Sequence, residues 1–239
     1  MRLSKRVTDT AIFCQAVDKI EKCKEPKDKF GVLRDYTTQI YKRENDFCVT
    51  FETEDKLVIV FQGSNDSQDW KDDFEFKKNN YKVHSGFYYC AKRYSDLVSN
   101  IIGAIKRGKK VHIMGHSKGG SLALMLGFLL IQTYINEPRT YNNYHVHPLK
   151  ITAIAPAKIG GEDIMDLFRR YNIDVQTIGV KRDVVLQLPF KVLGFCHMSK
   201  VQWLKAPLWH KIPIGGIAFL IHISYYRYIL NRKRCYYID

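Results

Sequence analysis

Apolar residues Ile12, Phe13, Ala16, Val17 and Ile20 recur at helical spacing behind Asp9, a capping side chain, so residues 9–21 predict a helix. The period then changes. DFCVTFET (46–53) alternates and LVIVFQ (57–62) is a β-rich run, and the short polar link Glu54-Asp55-Lys56 makes the two a hairpin. Next comes a polar stretch rich in turn residues, GSNDSQDWKDDFEFKKNNYK. Tyr94, Leu97, Val98, Ile101, Ile102 and Ile105 restore the helical period, and the reading is one helix from about Gly86 to residue 107. A short buried strand starts at Val111, and a long apolar helix fills 118–135. Beyond a polar loop with Pro138 and Pro148, a strand is expected at 150–155, a helix at 161–171 and a strand at 173–180. Strands alternating with helices specify an α/β fold with a largely parallel sheet. No repeat or low-complexity linker divides the chain, so residues 1–239 are read as a single domain. The most apolar stretch, 212–230, contains His222 and Arg227 and is short for a membrane span; a buried helix or strand is the reading it favours.

Composition changes this picture in two places. The net charge of +14 implies attraction to an anionic partner, either nucleic acid or an acidic membrane surface. The charge is spread along the chain, with one compact run at Arg232-Lys233-Arg234, and no zinc-finger spacing, RNP-type signature or basic heptad helix accompanies it. Nucleic acid is therefore not expected as a partner. The six cysteines (Cys14, Cys23, Cys48, Cys90, Cys196 and Cys235) are scattered and form no CxxC pair, which argues against zinc and for free thiols. The N-terminus has a basic start but neither an uninterrupted apolar core nor a small-residue cleavage site. No secretory signal is read there, and an intracellular protein, membrane-associated or not, is the expectation.

The chemistry concentrates at VHIMGHSKGG (111–120). Gly115-His116-Ser117-Lys118-Gly119 is G-x-S-x-G, flanked by a strand-like run and a helical one. That context is what the motif requires: a strand turns sharply into a helix and leaves the serine hydroxyl at the apex. The helix N-terminus behind it supplies a positive field and free N–H groups for a developing oxyanion. A nucleophilic serine also needs a base and an orienting acid. Asp183 stands out among the downstream acids because it follows the predicted strand, where active-site groups of parallel sheets gather. Downstream histidines are His145, His147, His197, His210 and His222, and spacing alone does not choose among them.

Several blocks together resemble the class 3 (fungal-type) lipases. GHSKGGSLAL is similar to that family's GHSLGGALA elbow. VIVFQGSNDSQDWKDDFEF resembles its V-x-x-F-R-G-[TS]…DW-x-x-D segment, VHSGFYYCAKRY its V-H-x-G-F helix start, and VKRDVVLQLP its D-x-V-x-x-L-P acid motif. HISYY (222–226) resembles the H-x-x-Y segment that carries its histidine. The order holds from about residue 48 to residue 228. The resemblance implies an α/β-hydrolase fold, with helices on both faces of a mostly parallel sheet. It implies Ser117 as nucleophile, Asp183 as orienting acid and His222 as general base, with His197 and His210 as the alternatives. It also implies an oxyanion hole from Ser64 and the backbone N–H of Lys118, and a mobile lid from Asn65 to about Lys82. No cofactor or metal is implied. His84 and His116 are read as structural.

Two departures matter. Gln62 stands where the family has arginine, so a structural ion pair is expected to be missing. Lys118 replaces the usual leucine, and its ammonium is expected to point to solvent rather than toward an anionic substrate. The function implied is a serine hydrolase cleaving lipid esters, acylglycerol or phospholipid, through an acyl-serine intermediate. Its expected partners are the lipid ester and an anionic membrane surface. The alternative is a catalytically inactive relative that binds lipid or protein.

Overall fold

The computed structural model describes residues 5–23, 33–63, 77–137, 149–181 and 183–204. The chain opens with helix α1 (Lys5–Cys23), followed by strands β1 (Thr37–Arg43), β2 (Asp46–Glu52) and β3 (Lys56–Phe61). Helices α2 (Ser85–Lys92) and α3 (Ser95–Lys106) lead to β4 (Lys110–His116), and α4 (Lys118–Asn136) leads to β5 (Lys150–Ile154). Helix α5 (Glu162–Arg170), β6 (Asp174–Gly179) and β7 (Val201–Trp203) complete the described elements.

Among the described residues the strands form one sheet in the order β1-β2-β3-β4-β5-β6-β7. The first three pair antiparallel, with the predicted hairpin in register Val49↔Val60 and Glu52↔Leu57. From β3 to β7 every pairing is parallel. Sequential order with right-handed crossovers sends the connecting helices to one face. The other face needs its own cover, and α1 supplies it. The pleat sorts the core accordingly. Leu57, Ile59, Phe61 and Ile113 belong to the cluster formed with α2 to α5, whereas Val58, Val60 and Met114 pack with Phe13, Ala16 and Val17 of α1. A strand buried on both faces reads as a continuous apolar run, which is why LVIVF does not alternate.

Helix α4 is long and apolar enough to cross a membrane by length and composition, but most of that window is buried inside this fold. It lies against β4 and β5, where Gly127 leaves room for Ile151 and Phe168.

The structure departs from the pattern in three ways. The single helix expected over 86–107 is two, broken at Arg93 and Tyr94. Tyr94 is fully buried edge-on against Phe61, and Arg93 leaves the helix line to meet Glu44 at 2.6 Å and Asp46 at 3.5 Å. Strands β1 and β7 were not anticipated: β1 buries only Tyr41 and β7 has three residues. The end of the expected lid, residues 77–82, is a folded turn in which the Asn79 carboxamide oxygen accepts from the Tyr81 and Val83 N–H groups. The rest of that segment and the stretch 212–230 lie outside the described residues. Cys14, Cys48, Cys90 and Cys196 are free thiols.

Candidate active site

Ser117 occupies the single residue between β4 and α4. Its backbone is held at φ 56°, ψ −127°, a conformation that side chains other than glycine rarely adopt and that costs of order 1–3 kcal/mol. The surroundings impose it. The Ser117 N–H donates to the Ile154 carbonyl of β5 at 2.9 Å, and the Ser117 carbonyl accepts from the Ser121 N–H at 3.1 Å, which starts α4. Gly115 and Gly119 make the turn possible. A Cβ on Gly115 would run into the Gly119 carbonyl, and one on Gly119 would run into the Phe61 carbonyl. Both glycines are thus required by close backbone approach, as the motif implied.

Ser117 is 2% exposed, and its hydroxyl has no hydrogen-bond partner among the described residues. A buried hydroxyl left without a partner is costly, and such groups mark sites where a partner or substrate completes the set. Gly63, two residues past the end of β3, lies beside it: an added Cβ there would sit 3.6 Å from the Ser117 Cβ. Ser64 follows Gly63 directly but lies outside the described residues, as do His222 and His210.

Asp183 lies on the same edge of the sheet, four residues beyond the end of β6. It is fully buried, and its Oδ1 accepts from the Val185 N–H at 2.9 Å, which fixes the carboxylate at the head of a 3₁₀ turn over Val185–Gln187. This loop has an anchor that the sequence did not reveal. Lys158, just past β5, is buried, and its Nζ donates to the carbonyls of Gln187 at 2.6 Å and Pro189 at 3.0 Å. Its backbone N–H donates to Leu188 at 2.8 Å. Burial lowers the Lys158 pKa. Lys158→Met is expected to cost about 2 kcal/mol, because one buried and one partly buried carbonyl lose a charged donor. Urea denaturation checks this, and a loss under 0.5 kcal/mol would remove Lys158 as the loop's anchor.

The histidines separate by environment. His197 contacts the Leu186 carbonyl through Nε2 at 3.0 Å, and burial followed by the nearby Lys158 charge pushes its pKa down to about 4. A ring held neutral that strongly is poorly matched to general-base work near neutral pH. His84 caps α2, its Nδ1 accepting from the Phe87 N–H at 3.4 Å, and packs on the Phe87 ring. His116 is buried, with Nδ1 toward Gly63.

Lys118 corrects the sequence reading. Its ammonium does not point to solvent. It lies 3.1 Å from Asp46 Oδ1, with side chains 10% and 5% exposed respectively. Asp46, at the start of β2, also meets Arg93 at 3.5 Å. The reason is topological: β2 borders β3, and the first turn of α4 lies against the end of β3, so a long side chain at 118 reaches a buried carboxylate before it reaches water. The ion pair expected to be missing with Gln62 therefore has a counterpart built on a different residue. Asp46 gave no sequence signal because it reads as the polar first residue of the alternating run DFCVTFET.

Among the described residues, no group of three or more His, Cys, Asp or Glu side chains is placed to hold a metal ion. What the site offers is a buried hydroxyl at a helix N-terminus and a buried carboxylate on the same edge of the sheet.

Comparison with known proteins bears on the fold and the family. A lipase from Rhizopus niveus is 25% identical over 181 residues, covering 71% of this chain and 44% of that protein. The chain thus spans less than half the length of this relative. A solved structure of Rhizomucor miehei lipase in complex with its propeptide superposes with a TM-score of 0.68 at 20% identity, covering 86% of this chain and 70% of that one. A triacylglycerol lipase whose catalytic centre is described as a serine protease triad gives 0.69 at 19% identity, covering 85% and 82%. Both superpositions establish the α/β-hydrolase fold. The family description Lipase (class 3) matches residues 58–193, more than half of the chain, from β3 through the Asp183 loop. The chain belongs to the class 3 lipase family.

Proposed function

We propose that the protein is a serine hydrolase that cleaves carboxylic esters of lipids. The observation that carries this reading is Ser117 itself, strained at a strand-to-helix apex with a buried hydroxyl that no described residue engages. In the reaction, Ser117 Oγ attacks the ester carbonyl carbon while His222 takes its proton. The oxyanion forms against the backbone N–H of Lys118 and the N–H and hydroxyl of Ser64. The carbon–oxygen bond to the alcohol breaks, and His222 returns the proton to the leaving oxygen. Water then repeats the sequence on the acyl-serine and restores Ser117. Asp183 orients the imidazole and stabilises its charged form. The triacylglycerol lipase with which the fold superposes is described as having a triad of this kind, and this supports carrying the assignment to the present chain.

The substrate reading is a phospholipid or monoacylglycerol presented at an anionic surface. The net charge of +14 supports it, since such a surface would concentrate the protein at its substrate. Hydrolysis of p-nitrophenyl esters from short to long chain is expected to favour the longer ones. Cleavage of phospholipid in phosphatidylserine-containing vesicles is expected to exceed that in pure phosphatidylcholine vesicles, with the advantage lost at high salt. A preference for acetate esters with indifference to vesicle charge would overturn the lipid assignment while leaving the serine chemistry standing.

A further inference from the structure

The N-terminal ends of the parallel strands, at the opposite edge of the sheet from Ser117, border a recess of about 440 Å³ between α1 and the sheet. Phe13 of α1, Val58 of β3 and Met114 of β4 give it a buried apolar floor. Its rim is cationic: Lys5 and Arg6 come from α1, and Lys56, Lys110 and Lys150 are the first residues of β3, β4 and β5.

The pleat produces this pairing of apolar floor and charged rim. Lys56 and Val58 are two residues apart, and Lys110, His112 and Met114 follow the same spacing, so each set shares the sheet face that α1 covers. Register then places Lys56 directly opposite Lys110, while Lys150 stands between His112 of β4 and Asp174 of β6. Like charges directly opposite one another in a sheet are destabilising. Local acids relieve only part of this. Arg6 is paired with Asp174 at 2.6 Å, and Lys56 comes within 4.0 Å of Asp55. Lys5, Lys110 and Lys150 form no ion pair among the described residues, and the acid among the lining residues is Asp9. His112 adds no charge, since burial and then Arg6 and Lys150 push its pKa down to about 3.

We propose that this recess binds an anionic amphiphile, an apolar chain ending in a carboxylate or phosphate. The chain lies over Phe13, Val58 and Met114, and the head sits among Lys56, Lys110 and Lys150. The size falls within the range of small-molecule sites, about 300–1,000 Å³. A bare anion would leave the apolar floor wet, and an uncharged lipid would leave the lysines repelling one another. The site does not depend on the chemistry at Ser117.

Calorimetric titration of the full chain with decanoate, decyl phosphate, 1-decanol and inorganic phosphate tests this. Both chain-bearing anions are expected to bind, the tighter one naming the head group. The variant Lys56→Gln/Lys110→Gln/Lys150→Gln is expected to weaken them at least tenfold. A control with the same charge change at exposed positions, Lys42→Gln/Lys191→Gln/Lys200→Gln, is expected to bind as the wild type does. A photoreactive decanoate is expected to label the peptide carrying Phe13, which separates this recess from any acyl site near Ser117. The proposal fails if the rim variant binds as tightly as the wild type or if the control loses as much. It also fails if decanol matches decanoate, if inorganic phosphate matches decyl phosphate, or if the Phe13 peptide stays unlabelled.

Discussion

Ser117→Ala is expected to lower ester cleavage by at least about 10⁴-fold while leaving the fold intact, because removing a triad nucleophile leaves only the contribution of the oxyanion hole and binding. The stability half of this expectation follows from the geometry. Alanine keeps the Cβ, so the strain at φ 56° is unchanged, and the backbone bonds to Ile154 and Ser121 are unaffected. The only loss is a buried hydroxyl with no partner among the described residues, so its removal is expected to be neutral or to stabilise by up to about 1 kcal/mol. Ser117→Gly separates the two contributions. It should be equally inactive and also relieve the backbone strain, raising stability by about 1 kcal/mol over the alanine variant. Thermal melts beside initial rates on one ester check both variants. Cleavage within tenfold of wild type in Ser117→Ala would end the serine mechanism. Inactivity accompanied by unfolding would show that the hydroxyl has a structural partner.

The elements that the sequence made legible are those whose environment is uniform along their length. LVIVF is apolar throughout because both faces of β3 are covered, and the apolar run of α4 reflects a helix buried at the centre of the fold. The elbow was legible for a different reason: glycines 115 and 119 are enforced by backbone contact, so the motif carries its own geometry. What escaped was set by neighbours distant in sequence. TTQIYKR shows almost no apolar pattern, since among the described residues β1 lies at the edge of the sheet with Ile40 about half exposed, and only its partner β2 reveals it. The break at Tyr94 is set by Phe61 across the core, not by a local breaker residue. Lys158 and Asp46 look like surface residues in the sequence, and only the approach of the Gln187–Pro189 carbonyls and of Lys118 shows that they are buried. Charged residues buried by tertiary contact have no periodic signature, so they are the positions that sequence patterns misplace.

Lys118→Leu, which restores the residue usual in the family, is expected to destabilise this protein by about 3 kcal/mol. A leucine suits the first turn of a buried apolar helix, and a cation at a helix N-terminus opposes the macrodipole by about 0.3–1 kcal/mol. Both local effects favour the substitution. The ion pair decides otherwise. Asp46 is 6% exposed, and its nearest cation is the Lys118 ammonium at 3.1 Å. Leucine removes that partner and leaves the carboxylate with Arg93 at 3.5 Å, and an uncompensated buried charge costs about 3–5 kcal/mol. The remaining guanidinium puts the expectation at the lower end of that range. Removing both charges reverses the sign of the argument: in Lys118→Leu/Asp46→Asn no buried carboxylate remains, and most of the lost stability should return. Urea denaturation of the two single variants and the double one closes the cycle, with a coupling energy of at least about 2 kcal/mol expected. A loss under 0.5 kcal/mol in Lys118→Leu would mean that Arg93 alone satisfies Asp46. The lysine would then be a tolerated departure from the family pattern, with no structural role.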